Sequence, residues 1–203
     1  GEDREYVCTI DELENEQVRA KIEDVNGVAK ELPIKVTLFQ ALPKGDKMET
    51  VIQKMIELGA YEIVPVFTKR CIVKLDNKKA VSKTKRWNSI AESAAKQSKR
   101  GIIPKVSMPV TYKEALKMAE AMDMVLIPYE NAENMAHTRQ VVSQIKTGMT
   151  VGIFIGPEGG FAEEEVEQAI NTGAYDITLG KRILRTETAG MALMSVLMFE
   201  TEE

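Results

Sequence analysis

The sequence predicts an α/β fold in which a mostly parallel β-sheet carries helices on both faces. From residue 34 onward, short apolar runs typical of buried strands alternate with segments whose apolar residues repeat at helical spacing. Glycine and polar turn residues separate the two kinds of segment. The chain has 203 residues, of which 44% are hydrophobic, so it can form one full domain with at most a small appendage.

The first 32 residues have a different pattern, in which polar and apolar residues alternate in short runs at 6–10 and 18–22. The pattern ends at Asn26-Gly27 and Pro33, and it predicts strands of a small β module. Because a segment of this length cannot bury a core alone, we expect either an incomplete domain or a module that packs on the rest of the chain. Because Gly1 already lies within a charged segment, we also expect a preceding segment.

Residues 34–42 predict a buried strand, and a helix follows whose start is marked by Asp46 and Glu49 at the spacing of a capping box. Gly59 suits a left-handed helix end, and residues 61–67 return as a strand.

A second helix is predicted over 83–99, with Trp87 on its apolar side and basic residues on the other. Thr111 and Glu114 predict a capping box for a third helix, which precedes a strand over 124–127.

The carboxyl-terminal part predicts a strand at 151–155, a helix at 163–171, a strand at 177–179 and a final helix at 187–199. The final helix is apolar most of the way round, which indicates that it is enclosed. It has two apolar stripes, one made of Ala189, Ala192, Leu193, Val196 and Leu197 and the other of Met191, Met194 and Met198. The helix is enclosed either within the monomer or at a subunit interface, and we favour an isologous homodimer.

The charge of the chain is divided very unevenly. Residues 69–105 contain twelve lysines and arginines against two acids, which gives +10 and leaves −14 for the rest of a chain with net charge −4. Such a segment can neutralise several phosphates, so nucleic acid is the leading partner, although a solvated lysine-rich face has the same composition. The residues that we expect to contact RNA are Lys69, Arg70, Lys83, Lys85, Arg86, Lys96, Lys99 and Arg100.

Composition excludes a transmembrane protein and a protein with a cysteine-rich metal site. No apolar run approaches the roughly 18 residues of a membrane helix, and no basic-then-apolar leader is present, so we expect a cytoplasmic protein without a membrane partner. Cys8, Cys71 and His137 are the only cysteines and histidine, which is too few for a structural zinc site with about four such ligands.

Three predicted turns, at 128–130, 156–160 and 179–189, follow strand ends, where open α/β sheets collect their ligands. The turn at 156–160 has neither dinucleotide-binding nor Walker spacing. Its Glu158 and the acids at 163–165 disfavour a phosphate, while its glycines permit close backbone approach. A neutral or cationic ligand fits, a nucleoside sulfonium among them, although such a segment can also be only a turn.

The start of the final helix contains an unexplained arginine. Thr186 suits the N-cap, and Glu187 suits the positive end of the helix dipole. Arg185 follows the apolar residues 183–184, and its guanidinium requires an acceptor, either Glu158 or a ligand oxygen.

Four segments together resemble the RsmE family of 16S ribosomal RNA uridine-N3 methyltransferases, members of the SPOUT superfamily. The resemblance extends over about 35–199, and its motifs are PKGDKMETVIQKMIELGA (43–60), RWNSIAESAAKQSKR (86–100), IGPEGGFAEEEVEQA (155–169) and LGKRILRTETAGMALM (179–194).

The resemblance implies a SPOUT-type α/β fold with a carboxyl-terminal trefoil knot, a rare exception to unknotted topology, preceded by a partial PUA-like β module. The implied domains are 1–32 for the remnant of the PUA-like barrel and 33–203 for the methyltransferase domain. It further implies an S-adenosyl-L-methionine-dependent homodimer that acts on 16S ribosomal RNA within the small ribosomal subunit, and no metal.

By position, the resemblance assigns cofactor binding to the three turns and the start of the last helix. The residues are Pro128, Tyr129, Glu130, Gly156, Pro157, Glu158, Gly159, Gly160, Leu179, Gly180, Ile183, Leu184, Thr186, Thr188 and Ala189.

For the chemistry, our hypothesis is that Arg185 stabilises the developing uracil oxyanion or orients the base. Glu187 is a weaker candidate for the proton acceptor, and we interpret His137 as a solvated helix residue rather than a base. Two alternatives stay open: a SPOUT methyltransferase for another RNA, such as transfer RNA ribose, and a non-catalytic RNA-binding protein.

Overall fold

The computed structural model describes residues 4–27, 30–130, 132 and 134–202. Its strands and helices in chain order are β1 (Arg4–Leu13), β2 (Val18–Gly27), β3 (Lys35–Ala41), α1 (Lys47–Glu57), β4 (Glu62–Phe67), α2 (Asn77–Gln97), β5 (Lys105–Val106), β6 (Val110–Thr111), α3 (Tyr112–Ala119), β7 (Met124–Pro128), α4 (Met135–Val142), β8 (Thr150–Ile155), α5 (Glu163–Asn171), β9 (Tyr175–Ile177) and α6 (Thr186–Thr201).

The central sheet has the strand order β5-β4-β3-β8-β7-β9, and β6 pairs with β4 beside that path. Every strand pair described in this sheet is parallel, which confirms the predicted sheet type. Successive side chains of a strand point to opposite faces of the sheet, so each face has its own hydrophobic core. Leu38 belongs to the core that includes α1, α2, α4 and α6, whereas the neighbouring Phe39 belongs to the core that includes α3 and α5. Helices therefore cover both faces, as predicted.

Strands β1 and β2 form a separate antiparallel hairpin, so the predicted strands of the first 32 residues are confirmed. Every residue of the two strands is exposed on both faces. The exposed side chains include seven large apolar ones: Tyr6, Val7, Ile10, Leu13, Val18, Ile22 and Val25. A two-stranded hairpin is marginally stable on its own, so these side chains form a surface suited to further packing.

Several helix starts differ from prediction. Asp46 precedes α1 but its side chain makes no capping hydrogen bond, so the capping box predicted with Glu49 is wrong. Glu49 instead pairs with Arg86 of α2, at 2.7 Å between Oε1 and Nε. By contrast, the capping box of Thr111 and Glu114 is confirmed, with the Thr111 N–H 2.8 Å from Glu114 Oε2.

Helix α2 begins at Asn77, six residues before the predicted start, because Asp76 caps it by accepting a hydrogen bond from the Lys79 N–H at 2.8 Å. The polar first two turns concealed this start, since they add little to an apolar stripe. Strand β9 also lies two residues earlier than predicted. Among the described residues, no helix is long and apolar enough to cross a membrane.

Candidate functional site

The carboxyl ends of β7, β8 and β9 surround a pocket of about 1120 Å³. Strand β7 lies between β8 and β9 in the sheet, so the segments that follow these three strands are neighbours. The pocket is therefore walled by 128–130, 156–160 and 178–185, the turns that the sequence indicates as one site. Its volume suits a ligand of nucleoside size or larger.

Most of the residues that the resemblance assigns to cofactor binding line this pocket. Thr188 is the exception, because it is exposed on α6 and is not part of the lining. The residues that line it are Pro128, Tyr129, Glu130, Gly156, Pro157, Glu158, Gly159, Gly160, Leu179, Gly180, Ile183, Leu184, Thr186 and Ala189.

The loop at 156–160 is folded so tightly that two of its glycines are required. A Cβ on Gly156 would lie 3.2 Å from the backbone of Gly160 and of Phe161, and Gly160 has a φ of 66°. The Gly160 N–H donates to Pro157 O at 2.9 Å and closes the turn. Backbone groups thus form this wall of the pocket directly.

Thr186 fastens the start of α6 to the same loop. Its buried hydroxyl donates to Gly156 O at 2.6 Å and accepts a hydrogen bond from Gln40 Nε2 at 2.9 Å. The residue preceding the helix is Arg185, with extended backbone, so the prediction of Thr186 as N-cap is wrong. The reason is that Thr186 uses its hydroxyl to join β3, the β8 loop and α6 instead of capping its own helix.

Lys47, the first residue of α1, joins two walls of the site. Its Nζ lies 3.0 Å from Glu158 Oε1 and 3.4 Å from Glu187 Oε2. Glu158 Oε1 also accepts the Lys44 N–H at 3.1 Å. Sequence reasoning missed Lys47, although a lysine in the first turn of a helix opposes the dipole and is a signal for a specific acidic partner.

These contacts shift two pKa values. The hydrogen bond from Lys47 to Glu158, reinforced by the charges of Glu158 and Glu187, raises the pKa of Lys47 against the opposing effect of desolvation. For Glu158, partial burial alone would raise the pKa, but its own backbone N–H, Lys47 and the Lys44 N–H together lower it. The ion pair is therefore charged across the whole neutral pH range.

Arg185 is exposed, lines the pocket and makes no side-chain hydrogen bond or salt bridge within the described ranges. Glu158, one of its two predicted acceptors, is held by Lys47 instead, so that alternative is wrong and a ligand oxygen stays the prediction. Glu187 and His137 are not among the lining residues. Glu187 Oε2 is buried, and its partner in the described part of the chain is the Lys47 ammonium at 3.4 Å, an ion pair without good hydrogen-bond geometry.

Of the residues that the structure describes, five bases and two acids line the pocket, so this part of the lining is more basic than the acidic character predicted from Glu158 and 163–165. Four of the bases come from the segments at 69–105 and 179–189, and the fifth is Lys47, which offsets Glu158. The basic lining residues are Lys47, Arg70, Lys181, Arg182 and Arg185.

Arg100 is misassigned among the predicted RNA contacts. Its side chain is only 3% exposed, forms a salt bridge with Glu31 and donates from Nη1 to Ile56 O at 3.0 Å and to Ala60 O at 2.7 Å. An arginine whose donors are used up inside the fold cannot neutralise phosphate, so its role is structural.

The other predicted RNA contacts remain accessible. Arg86 and Lys96 form exposed ion pairs with Glu49 and Glu92, which a phosphate can replace at little cost. The Lys83 ammonium lies 6.0 Å from the centre of the Trp87 ring. The exposed or half-exposed members of the set are Lys69, Arg70, Lys83, Lys85, Arg86, Lys96 and Lys99.

Comparison with known proteins places this geometry in a family. Residues 30–198 match the model of the RNA methyltransferase domain. The chain is 37% identical to Ribosomal RNA small subunit methyltransferase E of Bacillus subtilis strain 168, over 98% of this chain and 78% of that protein.

Two solved structures carry the comparison further. The crystal structure of Ribosomal RNA small subunit methyltransferase E from Neisseria gonorrhoeae, bound to S-adenosyl methionine, is 34% identical with a TM-score of 0.81, covering 98% of this chain and 80% of that one. A methyltransferase of Legionella pneumophila, solved in complex with the same cofactor, is 36% identical with a TM-score of 0.82, covering 97% and 79%. The chain belongs to the RNA methyltransferase family that includes Ribosomal RNA small subunit methyltransferase E.

Proposed function

We propose that this protein is an S-adenosylmethionine-dependent methyltransferase that modifies N3 of a uridine in 16S ribosomal RNA of the small subunit. The observation that carries the proposal is the convergence of three strand-end segments on one pocket of about 1120 Å³, lined by Arg70 at the start of the basic segment. Membership of the family and the cofactor-bound relatives support the same activity.

The pocket fits the cofactor on its own chemistry. Four glycines of the lining (156, 159, 160 and 180) have no side chain, so a flat ligand such as a purine base can approach the main chain closely there. Apolar side chains, such as those of Ile155, Leu179 and Leu184, provide surface for the flat base. In this proposal the residues at 128–130, 156–160, 179–180 and 183–184, together with Thr186 and Ala189, hold the cofactor, with Thr188 outside the contact surface.

The cofactor, when bound, supplies an activated methyl group on a sulfonium. The protein then has to hold uracil N3 in line with that methyl group and stabilise the negative charge left by the N3 proton. Arg185 is suited to the second task, because its guanidinium lies on the pocket wall and no residue that the structure describes accepts a hydrogen bond from it. Glu187 remains the weaker candidate for the proton acceptor, since its carboxylate already contacts Lys47.

Two finer features of the fold belong to this proposal. The segment after β9 starts at the edge of the sheet, yet Thr186 contacts Gly156 and Gln40 near its centre, so the chain crosses the ends of β7 and β8. Such a crossing is what a carboxyl-terminal trefoil knot requires.

The exposed hairpin of β1 and β2 fits a partial PUA-like module at 1–32, which precedes a methyltransferase domain at 33–203. The proposed location of the protein is the cytoplasm.

The test is to incubate 30S subunits, and separately naked 16S RNA and bulk transfer RNA, with isotope-labelled cofactor and to map the modified nucleotide by mass spectrometry. We expect one N3-methyluridine in 16S RNA. Methyl groups found on a transfer RNA ribose instead would favour the other SPOUT activity, and RNA binding without cofactor binding would favour a non-catalytic protein.

Arg185→Ala tests the proposed charge stabilisation. Removing a transition-state hydrogen-bond donor costs roughly 100-fold in kcat in other enzymes, and we expect a loss of that order with cofactor affinity little changed. Wild-type turnover of the variant on 30S subunits would exclude the role.

A further inference from the structure

The turn that follows β4 is bonded to the wall of the pocket at several points. The Lys69 N–H donates to Glu165 Oε1 at 2.8 Å, and the Lys69 ammonium pairs with Glu164. One residue further, Arg70 Nη1 donates to Gly159 O at 2.9 Å. The basic segment therefore begins on the 156–160 loop.

Glu165 makes the connection rigid. Its side chain is buried, and its two carboxylate oxygens are shared between two segments: Oε1 accepts the Lys69 N–H and Oε2 accepts the Ala162 N–H at 2.9 Å. Hydrogen bonds to a charged acceptor are stronger than neutral ones, so the turn at 68–70 and the end of the glycine loop move as one unit.

Arg70 uses only a small part of its bonding capacity in this contact. A guanidinium has five N–H donors in a planar fork, and the side chain of Arg70 has Gly159 O as its one hydrogen-bond partner in the described part of the chain. The stem packs on the loop as well, because a Cβ on Gly159 would lie 3.5 Å from Arg70 Cβ. The remaining donors lie at the rim of the pocket, on an exposed residue.

Charge around the guanidinium favours an anionic partner. The residues that follow Arg70 extend the basic segment along α2, and Lys181, Arg182 and Arg185 line the same pocket as Arg70. A phosphate bound by the free edge of the guanidinium would hold the side chain in the conformation that donates to Gly159 O.

We propose that Arg70 is a positioning residue that couples RNA binding to cofactor binding, by holding a backbone phosphate of the target RNA with one edge of its guanidinium and the carbonyl of Gly159 with the other. The inference rests on the proposed function and adds to it that RNA and cofactor bind cooperatively. Because the phosphate and the loop share one side chain, each ligand increases affinity for the other, and the two factors are equal by linkage.

The test measures the dissociation constant of S-adenosylhomocysteine, the demethylated product, by equilibrium dialysis with and without 30S subunits. We expect 30S subunits to tighten binding to the wild-type protein by about fivefold or more, the lower range of ordinary allosteric coupling. In Arg70→Met we expect this factor to fall to about one.

Two variants distinguish coupling from loss of charge. Lys78→Met removes an exposed charge of the same segment away from the pocket, and we expect weaker 30S binding with the coupling factor intact. Arg70→Lys keeps the charge but lacks the planar fork, so we expect 30S affinity near wild type with the coupling lost. Thermal unfolding of each variant checks that the fold is kept.

The proposal is overturned if Arg70→Met retains the wild-type coupling factor, or if the wild-type protein binds both ligands independently. Failure of the proposed function would look different: the wild-type protein would not bind S-adenosylhomocysteine at all, or would not methylate 16S RNA.

Discussion

At the scale of single residues, Lys47 determines how two acidic side chains are tolerated beside the pocket. Without its ammonium, Glu158 would lose a partner at 3.0 Å and Glu187 one at 3.4 Å, and the loop at 156–160 would be held less firmly toward α6. We expect Lys47→Met to weaken S-adenosylhomocysteine binding about tenfold, in the range of a lost charged hydrogen bond. Calorimetry measures the change.

Glu158→Gln in the Lys47→Met background provides the matched control. Removing the acid that Lys47 neutralises should restore part of the affinity, because the uncompensated charge is then gone. If the double variant is no better than Lys47→Met, the effect does not depend on this charge pair.

The pH dependence of the same contact has a definite sign. The pKa of Glu158 is lowered, so its contribution is present above the ordinary carboxyl pKa of 4.5 and is lost as the pH falls through the folded value. The pKa of Lys47 is raised, so its contribution is present below 10.5 and is lost as the pH rises through the folded value. We expect this pair to make no contribution to the pH dependence of binding between about 5.5 and 9.5.

Arg100 and Arg86 carry the same charge in one helical region but differ in burial. The Arg100 side chain is 3% exposed and its partner Glu31 is 18% exposed, whereas Arg86 is 68% exposed. Arg100→Ala removes the cationic partner of Glu31, which keeps only the Gly101 N–H among the described residues, and one donor from each of two backbone carbonyls, so we expect a loss of about 3 kcal/mol in the free energy of unfolding. Urea denaturation measures it.

Arg86→Ala is the control for that variant, with an expected loss below about 1 kcal/mol because the pair with Glu49 is exposed. Binding to 30S subunits should respond in the opposite order, weakening for Arg86→Ala and hardly changing for Arg100→Ala. The reverse result would restore Arg100 to the RNA-binding set.

Residue type alone therefore predicted some roles and not others. Gly156 and Gly160 could be recognised because the required backbone conformation is local to the turn. Lys47 could not, because its partner Glu158 is 111 positions away and only the strand order brings them together. The prediction of Arg100 as an RNA contact was wrong for the same reason. Its acceptor Glu31 is 69 positions away, so composition could not distinguish Arg100 from the solvated basic residues.

At the scale of helices and strands, local signals succeeded when the partners were a few residues apart. The capping box of Thr111 and Glu114 closes within one turn, so its spacing predicted it. Asp46 and Glu49 have the same spacing, but Glu49 pairs with Arg86 of α2. The long-range ion pair with Arg86 thus explains why only one of the two identically spaced pairs forms a capping box.

The start of α6 provides the prediction at this scale, because a single hydroxyl joins it to β3 and to the loop after β8. Thr186→Val keeps the shape but leaves Gly156 O and Gln40 Nε2 with one partner fewer, and we expect a loss of about 2 kcal/mol in the free energy of unfolding. Cofactor affinity should fall in parallel. Both are measured by chemical denaturation with and without S-adenosylhomocysteine.

Thr186→Ser retains the hydroxyl and is the control, with an expected loss below about 1 kcal/mol. If the serine and valine variants are equally destabilised, the missing methyl group and not the hydrogen bonds is responsible, and the proposed junction has no energetic role.

At the scale of the whole molecule, the order of predicted strands and helices was enough to give a parallel sheet covered on both faces, since only short apolar strands and amphipathic helices had to be recognised. The order of elements along the chain could not predict the strand order β5-β4-β3-β8-β7-β9, in which β3 to β6 occupy one side of the sheet and β7 to β9 the other. That order places 156–160 beside 128–130 and 178–185, so the site follows from topology rather than from any one motif.

Helix α6 is only partly enclosed within the monomer, and its buried residues come from both predicted apolar stripes. Leu193, Met194 and Leu197 are buried against the sheet and α1, whereas Val196 is half-exposed and Phe199 is 80% exposed. Burial within the monomer therefore accounts for one side of the helix only. The other side, which includes Val196 and Phe199, is the surface on which we expect the homodimer to form.

Phe199→Asp tests that assembly, because a large apolar side chain at the centre of a dimer contact contributes about 2 kcal/mol or more. We expect the wild-type protein to sediment at twice the monomer mass of 22.6 kDa and the variant to dissociate at roughly 30-fold higher concentration. Ile103→Asp changes an exposed isoleucine away from α6 and should leave the mass unchanged. If the homodimer completes the site, methylation decreases as Phe199→Asp dissociates; a fully active monomer would place the whole reaction within one chain.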